Sequence, residues 1–139
     1  MDDGTKLHDP KARVGELLAR FARERNVTLP PLAEDGTGSI QRGSAVVTIH
    51  VLDDKQVLLL LARVAEAPAL DAAKAKRLLE LSFVETADCA FALHPQTGDL
   101  YLRIYRGLDG LDYEEFEDMV HTIAHTADHW DDRLAKELA

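Results

Sequence analysis

The chain has 139 residues and a formal charge of −9, from 16 basic and 25 acidic side chains. This length fits a single domain over residues 1–139, in which we expect about residues 1–8 to be flexible. The acidic balance argues against a nucleic-acid partner, which would require a clustered cationic face. The single cysteine excludes an intrachain disulfide, and no apolar segment approaches the roughly 20 residues of a membrane span.

The N-terminal half is predicted to form one helix and three strands. Asp9 is a good N-cap and Pro10 suits a first helical turn, so we predict a helix over Pro10–Arg25. Its apolar residues recur at helical spacing and form one stripe: Val14, Leu17, Leu18 and Phe21. Polar turns then separate three predicted strands, Ser39–Arg42, Ala45–Leu52 and Gln56–Val64. Because the connections are too short for crossovers, these strands are expected to be antiparallel.

The C-terminal half is predicted to form a helix, a hairpin and a final helix. The first helix spans about Leu70–Leu81, and the hairpin joins Asp88–Leu93 to Leu100–Arg106. The final helix begins near Asp112 and carries an apolar seam at Phe116, Val120, Ile123, Ala127, Trp130 and Leu134. The order α-β-β-β-α-β-β-α indicates an α+β fold, with a twisted antiparallel sheet flanked by helices.

Both faces of the predicted sheet are largely apolar. A sheet with one solvated face should alternate apolar and polar residues, but Ala45–Leu52 and Gln56–Val64 do so only weakly. Helices or a second copy of the chain could cover the second face, or part of it could bind an extended polypeptide. For such binding we expect a surface formed by Leu18, Phe21, Val46, Thr48, His50, Leu58 and Leu60.

The order of these elements resembles that of the class I type III secretion chaperones, also called the Tir chaperone or CesT family. The similarity covers the first helix ending before Leu29–Leu32, the strands Ala45–Val51 and Val57–Leu61, the His94–Gly98 turn and the acidic last helix with Trp130. The resemblance implies a cytoplasmic bacterial homodimer that binds the extended N-terminal segment of a secreted effector without ATP, cofactor or catalytic residues. The secretion ATPase or export apparatus is a further expected partner.

The same resemblance implies where two copies would meet. The family pairs through the second helix and the strand that follows it, and these positions correspond here to Leu78, Leu79, Phe83, Cys89, Phe91 and Leu93. The residues themselves leave open whether these side chains fill the core of one copy or form an interface.

Two alternative functions remain open at this stage. A binding module of the same fold could serve a regulatory partner that is not secreted. A small metal-dependent enzyme could use His121, His125 and His129, which recur one helical turn apart, although the Glu of a His-Glu-x-x-His motif is missing. We expect this histidine row to face solvent and to bind no metal. Cys89 is expected to be a small buried hydrophobe, since no activating base accompanies it.

Overall fold

The computed structural model describes residues 9–139 and confirms the predicted order of elements. The elements are α1 (Pro10–Arg25), β1 (Thr37–Arg42), β2 (Ala45–Leu52), β3 (Val57–Ala65), α2 (Ala72–Leu81), β4 (Ala90–Leu93), β5 (Leu100–Gly107) and α3 (Tyr113–Glu137). The segment 1–8, expected to be flexible, lies outside the described residues. No helix in the described part is long and apolar enough to cross a bilayer.

The five strands form one antiparallel sheet in the order β1-β2-β3-β5-β4. The turn between β2 and β3 fixes the register, which pairs Leu52 with Val57 and therefore Val51 with Leu58. Partners opposite each other in a sheet point to the same face. This register consequently places Leu58 and Leu60 on the same face as Val51 and Ile49.

One face of the sheet, here called the covered face, forms the core with all three helices. Along β2 its side chains, Ala45, Val47, Ile49 and Val51, are buried and alternate with exposed or partly exposed ones. Nearly all buried residues of α1, α2 and α3 belong to the same apolar cluster as these strand residues. The rings of Phe21 on α1 and Phe116 on α3 meet edge to face at 6.2 Å. The predicted seam of α3, from Phe116 to Leu134, is buried as expected.

The helices begin where the sequence supplies a cap. The Asp9 carboxylate accepts a hydrogen bond from the Ala12 amide at 3.1 Å at the start of α1. Asp112 and Glu115 form the predicted capping box of α3. Asp71 caps α2 in the same way, so this helix starts at Ala72 rather than at Leu70.

The entry into β1 depends on Gly36. Its φ of +85° is a conformation that favours glycine, and a Cβ there would lie 3.2 Å from the Cβ and carbonyl oxygen of Val51. The Gly36 carbonyl accepts a hydrogen bond from the Val51 amide at 2.9 Å. This contact extends the pairing of β1 with β2, so β1 begins at Thr37, two residues before the predicted start.

Candidate functional site

The second face of the sheet, here called the open face, is apolar and accessible. It consists of the side chains opposite those of the core on β2, β3 and β5: Val46, Thr48, His50, Leu52, Val57, Leu59, Leu61, Arg63, Tyr101, Arg103 and Tyr105. Each of them keeps some exposure, and Val46 and Tyr105 are about half exposed. Nearly all buried residues of the helices, Pro10 and Thr126 excepted, belong to the core cluster on the other side. A broad apolar surface is therefore left without a cover in the described part of the chain.

Some of the residues expected to bind a polypeptide are accessible, and others are buried in the core. Val46, Thr48 and His50 lie on the open face. Phe21, Leu58 and Leu60 are at most 1% exposed in the core, so the expectation that they are accessible is wrong. For the two leucines the reason is the β2–β3 register, which opposes Leu58 to Val51 rather than to the Val46 side of the strand. Phe21 is buried because its ring packs on Phe116 of α3.

Leu18, the remaining expected binding residue, is nearly buried but lies at the bottom of a groove. This groove, here called the α1 groove, has a volume of about 440 Å³ and lies between α1 and the segment 29–34. Leu18 is only 2% exposed, but it lines the groove together with Ala22, Leu29 and Leu32. Gly15 has no heavy atom within 4 Å of the position a Cβ would take, so α1 leaves space there.

The sequence reasoning missed the contribution of β3 and β5 to the open face. Leu59 and Leu61 stand opposite His50 and Thr48, while Tyr105 and Arg103 stand opposite Leu59 and Leu61. The alternation Tyr101-x-Arg103-x-Tyr105 carries the signal that could have found them, since residues two apart on a strand share a face.

His50 and Thr48 provide polar contacts on the β2 side of this surface. The Thr48 hydroxyl lies 3.0 Å from His50 Nε2 and 3.4 Å from the Leu61 carbonyl oxygen, to which it donates. Burial lowers the pKa of His50 from its ordinary value, and the Asp35 carboxylate opposes this shift. The imidazole is therefore kept neutral to a lower pH than an exposed histidine would be.

A hollow of about 300 Å³ lies at one end of the open face, and we call it the Arg103 hollow. It is lined by Leu52, Lys55, Val57, Leu59, Arg103 and Tyr105. The Arg103 guanidinium lies over the Tyr105 ring, 4.8 Å from its centroid. This cation–π contact fixes the charge beside the apolar residues.

A second accessible apolar surface lies at the end of α2, and we call it the α2 patch. It comprises Leu79, Phe83, Val84 and Leu93, of which Phe83 is 91% and Leu79 73% exposed. Leu79 and Leu93 border a hollow of about 230 Å³, whose lining includes Leu78 and Phe91. Of the residues expected at a dimer interface, Leu78 and Cys89 are instead buried in the core. Phe91 is half-buried and packs edge to face on Trp130 at 5.6 Å.

The comparison with known families matches most of this chain. The model of the Tir chaperone protein (CesT) family matches residues 16–131. The chain belongs to the Tir chaperone (CesT) family. The predicted family and the predicted α+β fold are both confirmed by this match and by the solved structures described next. Among curated proteins, no sequence matches the chain.

Several solved complexes contain a chain with the fold of this CesT-family protein. A chain of the ExsC-ExsE complex is 26% identical, with a TM-score of 0.74 over 88% of this chain and 94% of that one. A chain of the HopA1-SchA chaperone-effector complex is 15% identical, with a TM-score of 0.69 over 88% of this chain and 95% of that one. A chain of the ExoT-SpcS complex from Pseudomonas aeruginosa is 16% identical, with a TM-score of 0.62 and coverages of 87% and 97%.

The histidine row of this CesT-family chain lies on the exposed side of α3, as expected. The rings of His121 and His125 stack at 6.0 Å with 12° between their planes. His129 instead packs edge to face on Trp130 at 5.6 Å. Between residues 9 and 139 no group of three or more His, Cys, Asp or Glu side chains is arranged to hold a metal ion.

Cys89 is buried as predicted, at the end of the turn before β4. Burial raises the pKa of its thiol to about 11, against a smaller opposing effect of Thr126. A thiol with such a pKa is almost fully protonated at neutral pH, which makes it a poor nucleophile. Its environment is that of a packing residue.

Proposed function

We propose that this protein is a type III secretion chaperone that binds the extended N-terminal segment of an effector on the open face of its sheet. The observation that carries the proposal is the uncovered apolar surface itself, together with the family. The chain would act in the bacterial cytoplasm by reversible binding, without ATP, cofactor or catalysis, and pass the effector to the secretion ATPase or export apparatus.

The energetics of holding an unfolded segment require such a surface. Ordering an extended chain costs about 1–2 kcal/mol per residue in backbone entropy. A hydrogen bond returns about 1 kcal/mol net, and a fully buried Leu-sized side chain about 1.5–3 kcal/mol. Several apolar contacts are thus needed for each bound segment. Val46, Leu59 and Leu61 on the open face offer them.

Two matched variants test the proposal. Val46 on the open face and Val27 after α1 are both 49% exposed, so Val46→Asp and Val27→Asp make the same change at equal exposure. The tagged protein is purified from its native cells, and the bound polypeptide is identified by mass spectrometry. The N-terminal region of a secreted protein should accompany wild type and Val27→Asp, and Val46→Asp should retain at most about a tenth of it, the loss of one apolar anchor. Recovery of a regulator that is not secreted would contradict the proposal.

We further propose that two copies of the chain pair through the α2 patch. The exposure of three large apolar side chains near one another, Leu79, Phe83 and Val84, supports this proposal, since clustered exposed apolar residues are typical of interaction sites. Phe83→Asp should convert a dimer to a monomer in light scattering after size exclusion, whereas Val27→Asp should not. Because Phe83 is 91% exposed within one copy, its substitution should leave the melting temperature of the monomer nearly unchanged. A wild-type monomer would refute this pairing.

A further inference from the structure

The charges around the Arg103 hollow oppose those of the whole chain. The protein carries 25 acidic and 16 basic side chains, yet the hollow is lined by two cations and no carboxylate. Lys55 and Arg103 stand beside Leu52, Val57, Leu59 and Tyr105. The charge at the hollow is therefore opposite in sign to the net charge of the protein.

Neither cation is neutralised by a neighbouring carboxylate, in contrast to several other cations in the described part of the chain. Arg20, Arg25, Arg63, Arg77 and Arg106 each lie within 4.0 Å of a carboxylate. Within residues 9–139 neither Arg103 nor Lys55 has such a pair. Asp53, in the turn next to Lys55, pairs with Lys11 at 3.4 Å, and Asp54 does not line the hollow.

The Arg103 guanidinium is pre-organised to bind a carboxylate. Its position over the Tyr105 ring, 4.8 Å from the centroid, limits its freedom before any ligand arrives. The planar group presents donors that match the two oxygens of a carboxylate. Because the apolar residues around it exclude water once a ligand binds, the pairing would be stronger than at an exposed site.

We propose that the Arg103 hollow selects polypeptide segments in which an aspartate or glutamate is flanked by apolar residues. This inference rests on the proposed function and adds the chemistry that the open face recognises. The apolar residues of the segment pack on Leu59 and Val57, and its carboxylate accepts hydrogen bonds from Arg103 and Lys55. The net charge of −9 would by itself favour basic peptides, so an acidic preference identifies this hollow rather than the surface at large.

Selection from a random peptide library tests the proposal without knowledge of the natural effector. The purified full chain is used at about 0.15 M salt, where charges beyond about 8 Å are screened. Selected peptides should be enriched in one acidic residue between apolar ones. Enrichment of apolar peptides with no acidic preference would overturn the selectivity and leave the proposed function standing. Failure to select any peptide would count against both.

Affinities then locate the effect at Arg103. The best acidic peptide and its Glu→Gln counterpart are compared by fluorescence anisotropy on wild type, Arg103→Gln and the control Arg23→Gln, which removes the same charge from the exposed side of α1. The peptide change should weaken binding about tenfold on wild type and on the control, the scale of hydrogen bonds to a charged group. On Arg103→Gln it should have almost no effect, as the double-mutant cycle requires.

Two results would overturn the assignment. An equal loss on all three proteins would place the carboxylate contact elsewhere. A change of Arg103→Gln from dimer to monomer in light scattering would show that a second copy of the chain, rather than a peptide, occupies the hollow. Melting curves of each variant confirm that the fold is kept, because Arg103 lies on the open face outside the core.

Discussion

The two faces of the sheet carry similar side chains, but one face is buried in the core and the other is accessible. On β3, Leu58 and Leu60 are fully buried beneath the helices, while Leu59 and Leu61, which alternate with them along the strand, stay partly exposed. The four residues are chemically identical, so hydrophobicity does not separate core from binding surface in this protein. The separation comes from what covers each face, and here nearly all buried residues of the helices pack on one side.

The largest expected effect contrasts two neighbouring leucines. Leu60→Ala should lower the free energy of unfolding by about 2–5 kcal/mol, because it opens a cavity in a packed core. Leu61→Ala should lower it less, by about 1–2 kcal/mol, since its side chain is partly exposed and its removal leaves no closed cavity. Urea denaturation of both variants measures the difference. Similar losses would show that the open face is covered in solution, for instance by a second copy.

The difference between the two faces also decides which acidic substitutions can test binding without unfolding the chain. Leu58→Asp and Phe21→Asp would place a charge in the core and are expected to unfold the chain rather than to test binding. Leu61→Asp makes the change on the open face, where the charge can reach water. Circular dichroism should show a native spectrum only for Leu61→Asp. A folded Leu58→Asp would contradict the burial of this position.

A smaller effect should follow from weakening the helix that covers the core. Asp112 caps α3 by accepting a hydrogen bond from the Glu115 amide at 2.8 Å. Asp112→Ala should cost about 1 kcal/mol of stability and leave peptide binding on the open face unchanged. Thermal unfolding and the peptide assay measure the two quantities separately. Asp109→Ala, in the exposed loop before α3, is the matched control.

The fold could be predicted from the sequence because its signals are local. Caps, turns and periodic apolar residues define each element, and the predicted Pro10–Arg25 and Ala45–Leu52 agree with the structure residue for residue. The faces could not be assigned in this way, because apolar residues occupy both positions of the two-residue period on β3.

The correct face assignment needs information from two strands at once. The pairing of Leu52 with Val57 puts Leu58 opposite Val51, which excludes a shared face for Leu58 and Val46. The Arg103 hollow was harder to predict, since Lys55 and Arg103 are 48 positions apart in the sequence. They line the same hollow only because β3 pairs with β5.

The smallest expected effect distinguishes the faces by pH. Burial lowers the pKa of His50 on the open face, so below its ordinary value of 6.5 the unfolded chain binds the proton more readily than the folded one. The stabilising effect of the neutral imidazole is complete above about pH 6.5 and is lost as the pH falls through the lower folded pKa. His50→Gln should therefore flatten the decline in stability between about pH 7 and pH 5. His129→Gln on the exposed side of α3 is the control, and urea midpoints across this range provide the measurement. A peptide bound over His50 would bury the imidazole further and lower its pKa further. Bound peptide should therefore steepen the decline in stability with falling pH in wild type and not in His50→Gln. An unchanged slope on peptide binding would place the peptide away from His50, and with it away from the β2 side of the open face.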